Sequence, residues 1–144
     1  MRLHASCAAR ANTQGGDAIL LLGPPGSGKS DFVLRLRQLG FTLVADDQVI
    51  IEDGIARAPE SLAGLLEVRG LGLFHLPYLP MAAVRLVITL GHEPERLPVP
   101  RRHAVLDLPE ITIDPALISA PERAALALDA ACGRITQLAG AFAL

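Results

Sequence analysis

The sequence contains few aromatic residues and few charged residues. Tryptophan is absent, there are one tyrosine and four phenylalanines, and charged residues make up 19% of the 144. Hydrophobic residues make up 51%, so the core is predicted to be aliphatic and an intrinsically disordered chain is excluded. A chain of this length buries roughly two thirds of its unfolded surface without disulfides or metals. A single domain over residues 1–144 is therefore expected.

Charge, long hydrophobic runs and cysteine are also scarce. The net charge is −2, which gives no basic surface for nucleic acid. The longest apolar runs, such as AILLL at residues 18–22, are too short to cross a bilayer, and the first ten residues lack the apolar region of a signal peptide. Cys7 and Cys132 form no CxxC motif and no Cys/His cluster. We therefore expect a cytoplasmic protein with reduced, chemically inert cysteines and no membrane or nucleic-acid partner.

The most informative stretch is LLLGPPGSGKSDFVLRL, residues 20–36. Residues 23–30 fit the phosphate-loop pattern G-x-x-x-x-G-K-[ST], an apolar run precedes them, and apolar residues spaced three and four apart follow up to Gly40. This is the strand, loop and helix context that the pattern requires. The predicted nucleotide-binding residues are Gly23, Pro24, Pro25, Gly26, Ser27, Gly28, Lys29 and Ser30. Backbone N–H groups and Lys29 would hold the phosphates of ATP, and the Ser30 hydroxyl would bind Mg²⁺.

An acidic pair follows the next predicted strand. FTLVA, residues 41–45, ends in Asp46 and Asp47, at the carboxyl end where ligands bind in such sheets. Successive strand residues point to opposite faces, so both carboxylates reach the phosphates only if the chain turns there. One would then be a general base and the other a metal ligand or supporting group. The alternative is one functional aspartate beside one that caps a turn.

Three other segments contain candidate functional residues whose roles the sequence spacing alone does not decide. Glu67 and Arg69 would share one face of an extended segment, either at a metal site or as an exposed salt-bridged edge. His4 lies in an apolar strand predicted over residues 3–9, where a structural role is the more common one. A Pro-rich and Arg-rich loop at residues 91–103 follows a predicted strand at 81–90 and is a candidate substrate or phosphate loop. A hairpin turning at Asp53-Gly54 and a helix after Pro121 complete the predicted elements.

Three motifs follow one another along the chain: LHASC, the segment from LLLGPPGSGKS to LVADDQV, and LLEVRGLG. Together they closely resemble the C-terminal catalytic domain of bacterial HPr kinase/phosphorylase. The resemblance covers roughly residues 3–90 and continues more weakly to residue 111. It implies an α/β fold with a P-loop core like the nucleotide-binding core of phosphoenolpyruvate carboxykinase, built on a β-rich mixed sheet with flanking helices. It also implies that Mg·ATP phosphorylates a serine of the small phosphocarrier HPr, and that inorganic phosphate removes the group again as pyrophosphate.

The resemblance implies roles for individual residues as well. Asp46 would be the general base that activates the serine, and the general acid in the reverse direction. Asp47 and His4 would be its polar neighbours, with Ser30, Asp47 and Glu67 as the candidate Mg²⁺ ligands. Arg96 would match the catalytic arginine of the family's flexible loop, with Arg101 and Arg102 as alternatives.

The chain also departs from the family pattern. Longer members carry an additional N-terminal domain, so this chain is expected to be a short form. ITIDPALISAPERAA stands where the family has V-x-P-G-R-N, which leaves the homo-oligomer and the reverse reaction open. Our leading hypothesis is an HPr serine kinase that regulates the phosphotransferase system and carbon metabolism. The alternatives are a small-molecule kinase with an acceptor pocket formed by residues 91–103, and a nucleotide-dependent regulatory module that transfers no phosphate.

Overall fold

A computed structural model describes residues 1–143, which form ten strands and two helices. The elements are β1 Arg2–His4, β2 Ser6–Asn12, β3 Gly15–Leu22, α1 Lys29–Leu36, β4 Phe41–Ala45, β5 Gln48–Glu52, β6 Ile55–Arg57, β7 Leu65–Val68, β8 Gly72–His75, β9 Ala82–Leu90, β10 Glu110–Ile113 and α2 Ala120–Ala131. Short 3₁₀ turns lie at Arg37–Leu39 and Glu60–Leu62. The predicted mixed α/β fold is confirmed.

Eight of the strands form one mixed sheet with the order β1-β5-β6-β9-β3-β2-β4, in which β10 also pairs with β9. β3 runs parallel to β9 and β9 parallel to β10. β2 is antiparallel to both β3 and β4, so β4 points the same way as β3. The carboxyl ends of β3, β4, β9 and β10 therefore meet at one edge of the sheet. This edge presents the phosphate loop, the acidic pair and the loop that follows β9.

Two aliphatic layers cover the sheet, as the composition predicts. On one side, Phe32 and Leu36 of α1 and Leu128 of α2 pack against Ile19 and Leu21 of β3. On the other side, the inward residues of β5 and β6 pack against the central strands in a second apolar cluster. Burying this surface supplies the main driving force for folding. It also fixes the positions of the strands whose ends build the site.

Most predicted elements before residue 60 are present with small changes of boundary. The strand predicted over residues 3–9 is divided at Ala5, whose N–H donates to the Asp47 carbonyl at 3.2 Å. The predicted helix runs as α1 to Leu36 and continues as a 3₁₀ turn to Gly40, which has φ 85°. The hairpin turn is confirmed, because Asp53 and Gly54 have φ of 53° and 76°, as a two-residue turn of this kind requires.

The segment after residue 60 forms a separate hairpin of β7 and β8. β7 ends at Val68, whose carbonyl accepts a hydrogen bond from the Leu71 N–H at 2.9 Å. Arg69 therefore lies in the turn rather than beside Glu67 on an extended strand. The later predicted elements appear as β9, β10 and α2. Neither α1 nor α2 has the length and apolar character needed to cross a membrane, and no other α-helix occurs in residues 1–143.

Candidate active site

The phosphate loop between β3 and α1 requires glycine at three places. Gly26 and Gly28 have φ of 82° and 97°, which residues with a side chain rarely adopt. At Gly23 the constraint is space, since an added Cβ would lie 2.5 Å from the Ser27 Oγ. The Phe32 N–H donates to the Gly28 carbonyl at 2.9 Å and begins the helix directly after the loop. The sequence pattern thus corresponds to a tight loop whose backbone leads into a helix N-terminus.

Lys29 is the only lysine in the chain and is 7% exposed. Its Nζ donates to the carbonyl oxygens of Gly23 and Pro24, at 2.7 and 3.1 Å. These bonds hold the ammonium group across the mouth of the loop. A phosphate oxygen there would provide a stronger, charged acceptor for the same donor.

Asp46 lies just beyond the end of β4 and is 7% exposed. The Ser30 Oγ lies 2.8 Å from each of its carboxylate oxygens, and the Ser6 Oγ donates to Oδ1 at 2.6 Å. The carboxylate is thus held by two hydroxyl groups from two different segments. The phosphate-loop serine and the first aspartate are in direct contact, as the strand order predicts.

Asp47 is directed elsewhere by a tight turn. It has φ 69°, and the Gln48 N–H donates across it to the Asp46 carbonyl at 2.8 Å, the hydrogen bond of a γ-turn. The Asp47 Oδ1 lies 3.3 Å from the His4 Nδ1, and both side chains are more than half exposed. The chain does turn at the acidic pair, but it buries Asp46 and leaves Asp47 with His4 at the surface.

The predicted metal ligands are only partly brought together. Ser30 contacts Asp46, whereas Asp47 pairs with His4 and Glu67 is exposed on β7. Within residues 1–143, no three His, Cys, Asp or Glu side chains converge as a metal cluster. Mg²⁺ in phosphate-transfer sites commonly uses one or two protein oxygens together with the substrate phosphates. The adjacent oxygens of Ser30 and Asp46 fit that requirement.

The loop after β9 contains the three candidate arginines. Arg101 pairs with Glu93 at 2.6 Å and Arg102 with Asp107 at 2.8 Å. The backbone N–H of Glu95 and the Arg101 guanidinium hold the pKa of Glu93 below its usual value. Arg96 is exposed and has no carboxylate partner within the described part of the chain. Of the three, Arg96 alone keeps its guanidinium free of an internal ion pair in residues 1–143.

Two features of the loop fit the phosphates of ATP. The Ser27 Oγ is buried and has no hydrogen-bond partner in residues 1–143, although buried polar atoms are normally satisfied. Together with the positive-φ glycines and the Lys29 ammonium, it forms a cradle of donors at a helix N-terminus. ATP would be held by residues 23–30, and its Mg²⁺ by Ser30 with a neighbouring carboxylate.

Sequence reasoning missed Ser6. It stands in the apolar run ASCAA, where a small polar residue resembles an ordinary buried serine. Its role becomes visible only when β2 and β4 pair and bring it to Asp46, 40 positions away. The polar residue within an apolar strand, two positions after His4, was the available signal.

The glycine-rich loop after β3 and the buried aspartate after β4 define a P-loop α/β fold. Residues 14–79 match the family model described as HPr Serine kinase C-terminal domain, so the resemblance noted from the motifs is confirmed over that segment. His4, Ser6 and Arg96 lie outside it.

Curated proteins and a solved structure give consistent results. The chain is 44% identical over 68 residues to HPr kinase/phosphorylase of Clostridium novyi, covering 44% of this chain and 22% of that protein. It is 41% identical over 87 residues to the Geobacillus thermodenitrificans protein of the same name, covering 52% of this chain and 28% of the relative. The structure of the Hpr(Ser) kinase/phosphatase from Coxiella burnetii has a TM-score of 0.70 at 24% identity, over 93% of this chain and 92% of that one. The likeness in structure extends the fold to nearly the whole chain, whereas the chain spans about a quarter of the length of these curated relatives.

Proposed function

We propose that this chain is a Mg·ATP-dependent serine kinase that phosphorylates an HPr-type phosphocarrier, with residues 1–144 acting as one catalytic domain. The observation that carries the proposal is the placement of Asp46, a buried carboxylate in contact with the phosphate-loop Ser30. The matched family segment and the names of the relatives support HPr as the acceptor. The proposal includes the reverse reaction with inorganic phosphate, a cytoplasmic site of action and a role in regulating carbon metabolism.

ATP supplies the phosphoryl group, and Mg²⁺ neutralises charge on the phosphates. The backbone N–H groups of the loop glycines and of the helix N-terminus would orient the phosphate chain. Lys29, already directed across the loop mouth, contacts the terminal phosphates. Ser30 would provide a metal ligand, and Glu67 remains a proposed further carboxylate. Asp47, a predicted ligand from the sequence, pairs with His4 instead.

A seryl hydroxyl is a weak nucleophile, so its proton must be removed as the new bond forms. In the proposed step the seryl oxygen forms a bond to the γ-phosphorus, the bond from that phosphorus to the ADP oxygen breaks, and the seryl proton moves to the Asp46 carboxylate. In the reverse direction phosphate attacks the phosphoserine, and Asp46 returns the proton to the serine as pyrophosphate forms. Asp46 is buried and carries no ion pair with an arginine or lysine in residues 1–143, so its oxygens are available for this transfer.

Residues at the surface have supporting roles in this proposal. His4 and Asp47 form an exposed polar pair next to Asp46 and would contact the incoming protein. Arg96, exposed and without an ion pair among the described residues, would stabilise charge on the transferred group. Its placement on a loop suits a residue that closes over the site after the acceptor binds.

The shape of the neighbouring surface favours a protein acceptor over a small molecule. His4 pairs with Gln48, and Arg2 with Ile50, in the antiparallel register of β1 and β5, so these side chains share one outward face. An open groove of about 770 Å³ lies on that face and is lined by Arg2, Gln48 and Arg57, together with residues 59–62. This groove is not formed by residues 91–103. A shallow groove beside a half-exposed catalytic pair can accept the surface of a folded protein.

The test is incubation of the purified protein with γ-labelled ATP, Mg²⁺ and HPr, followed by excess inorganic phosphate. We expect acid-stable label on HPr, then loss of that label with formation of pyrophosphate. HPr in which the acceptor serine is replaced by alanine is the matched control and should remain unlabelled. ATP binding without any labelled product would instead support the regulatory module, and labelling of a metabolite but not HPr would support a small-molecule kinase.

A further inference from the structure

Ser6 is a hydroxyl group in an otherwise apolar environment. It is 1% exposed, and its neighbours Ala5 and Cys7 and its cross-strand partner Leu21 are fully buried. Burying a hydroxyl among such side chains is unfavourable unless it is hydrogen-bonded. The bond from the Ser6 Oγ to the Asp46 Oδ1, at 2.6 Å, provides that compensation. Strand β2 thereby places a donor on a carboxylate 40 positions away.

The two hydroxyl groups on Asp46 act differently. The Ser30 Oγ is 2.8 Å from both carboxylate oxygens, and its single proton bonds one of them at a time, so Ser30 does not select an oxygen. Ser6 bonds Oδ1 alone. The terminal torsion of an aspartate is broad and nearly two-fold, so a carboxylate without a selective donor can rotate. Ser6 therefore determines that Oδ1 faces inward. The other oxygen, Oδ2, is contacted by Ser30 and not by Ser6.

We infer that Ser6 is a positioning residue that orients the Asp46 carboxylate so that Oδ2 receives the proton of the acceptor serine. The inference rests on the proposed kinase function, in which Ser30 also ligates Mg²⁺. Ser6 has no such second task, since Asp46 is its side chain's hydrogen-bond partner. Ser6 does not touch the substrate and acts only through Asp46.

The kinetic test uses three variants. Ser6→Ala removes the donor, Ser6→Thr keeps a hydroxyl at the same position, and Cys7→Ala removes one buried side-chain atom from the adjacent position of the same strand. Cys7 packs in the second apolar cluster and pairs with Ala45 across the ladder, but it makes no hydrogen bond to the Asp46 carboxylate within residues 1–143. Cys7→Ala therefore controls for destabilised β2. For Ser6→Ala we expect kcat for HPr phosphorylation to fall about tenfold with KM for ATP unchanged, because a misplaced base loses part of its contribution. Ser6→Thr should recover most of the rate, and Cys7→Ala should retain it.

A kcat for Ser6→Ala within twofold of the wild type would overturn the inference, as would an equal loss of rate in Cys7→Ala. If Ser6→Ala does not fold, Ser6→Cys replaces it, because cysteine fills the space and donates only weakly. An unchanged kcat in Ser6→Cys would then overturn the inference in the same way.

Crystal structures of the wild type and Ser6→Ala provide a readout that does not depend on activity. We expect one Asp46 carboxylate orientation in the wild type, and a rotated or doubled orientation in the variant. An unchanged Asp46 torsion in Ser6→Ala would overturn the inference even in an active enzyme. If the wild type phosphorylates no HPr, the proposed function fails, while the crystal comparison still decides whether Ser6 orients Asp46.

Discussion

Asp17 and Asp46 lie at opposite ends of the sheet and are equally buried, each with 7% of its surface exposed. Asp17 lies near the start of β3, and Asp46 follows the end of β4. Their surroundings differ in the type of donor. Asp17 accepts hydrogen bonds from Arg85 and Arg134, at 3.1 and 2.9 Å, and from Asn12. The Asp46 carboxylate accepts side-chain hydrogen bonds only from hydroxyl groups within the described part of the chain.

The donor type determines what each carboxylate can do. Burial alone would raise the pKa of Asp17, but the hydrogen bonds from Arg134, Arg85 and Asn12 outweigh it and hold the pKa below its ordinary value of 3.8. Arg134 also donates to Asp129 of α2 at 2.8 Å and so links α2 to β3. A carboxylate neutralised by two guanidinium groups is a structural anchor. A carboxylate that is hydrogen-bonded only to hydroxyl groups has no cationic partner, so its oxygens can bind a metal ion or accept a proton.

The largest expected effect is on catalysis at the Asp46 end. Asp46→Asn keeps an oxygen that accepts from Ser6 but removes the base, so kcat for HPr phosphorylation should fall by at least about a hundredfold. ATP affinity, measured by calorimetry, and the unfolding temperature should stay near the wild-type values. Retained turnover in this variant would show that Asp46 is not the base.

At the other end of the sheet the same substitution should affect stability and not rate. Asp17→Asn removes the charge that Arg85 and Arg134 face and should lower the free energy of unfolding by about 2 kcal/mol, since both arginines are partly exposed. Urea unfolding measures this change, and phosphotransfer should remain within about twofold of the wild-type rate. Asp107→Asn, which alters an exposed pair with Arg102, is the control and should change stability little. If Asp17→Asn abolishes catalysis while the fold persists, the two ends are not separable.

A smaller effect is expected when the bridging guanidinium is replaced. Arg134 uses Nη1 for Asp17 and Nε for Asp129, and a lysine ammonium cannot reproduce that fork. Arg134→Lys should therefore cost about 1 kcal/mol of unfolding free energy, measured by urea unfolding at neutral pH. Arg123→Lys, at an exposed position on α2, serves for comparison. Equal stability of the Arg134 variant and the wild type would show that the bridge contributes nothing.

The smallest expected effect is a change in the stability contribution of Asp17 at acid pH. Because the pKa of Asp17 is lower in the folded state than its ordinary 3.8, the unfolded state binds the proton first, and the stabilisation is complete only above 3.8. It is lost as pH falls through the folded-state pKa. The stability difference between wild type and Asp17→Asn should thus be constant at neutral pH and shrink below 3.8. Denaturation series at several pH values measure it, and a difference independent of pH would contradict the assignment.

Local signals made the central part of this fold predictable. The phosphate loop, α1, β4 and the turn at Asp53-Gly54 each depend on residues that are neighbours in sequence, so spacing and turn chemistry were sufficient. The turn at the acidic pair was foreseen as a requirement. Whether that turn brings both carboxylates to the phosphates or separates Asp46 from Asp47 was left open, because the direction of a γ-turn depends on how β1 and β5 pair around it.

Contacts between segments that are distant in sequence could not be predicted from sequence patterns. The bond from Ser6 to Asp46 spans 40 positions and that from Arg134 to Asp17 spans 117. The first forms because β2 pairs with β4, and the second because α2 packs against the sheet. The expected placement of Arg69 on the same face as Glu67 was wrong for a related reason, because the sequence pattern did not show that β7 ends at Val68. The catalytic and binding roles of all these site residues, from residues 23–30 and Asp46 to Asp47, His4, Glu67 and Arg96, remain predictions.

The lone lysine has a practical consequence. Apart from the α-amino group of Met1, which donates to the Ile51 carbonyl, Lys29 is the one primary amine in the sequence. Amine-directed reagents thus have a single side-chain target, located in the phosphate loop. The mass added by such a reagent, and its decrease when a nucleotide shields Lys29, would report occupancy of the loop without any engineered label. Coupling through amines to a surface or a dye would, by the same reasoning, damage the site that it was meant to study.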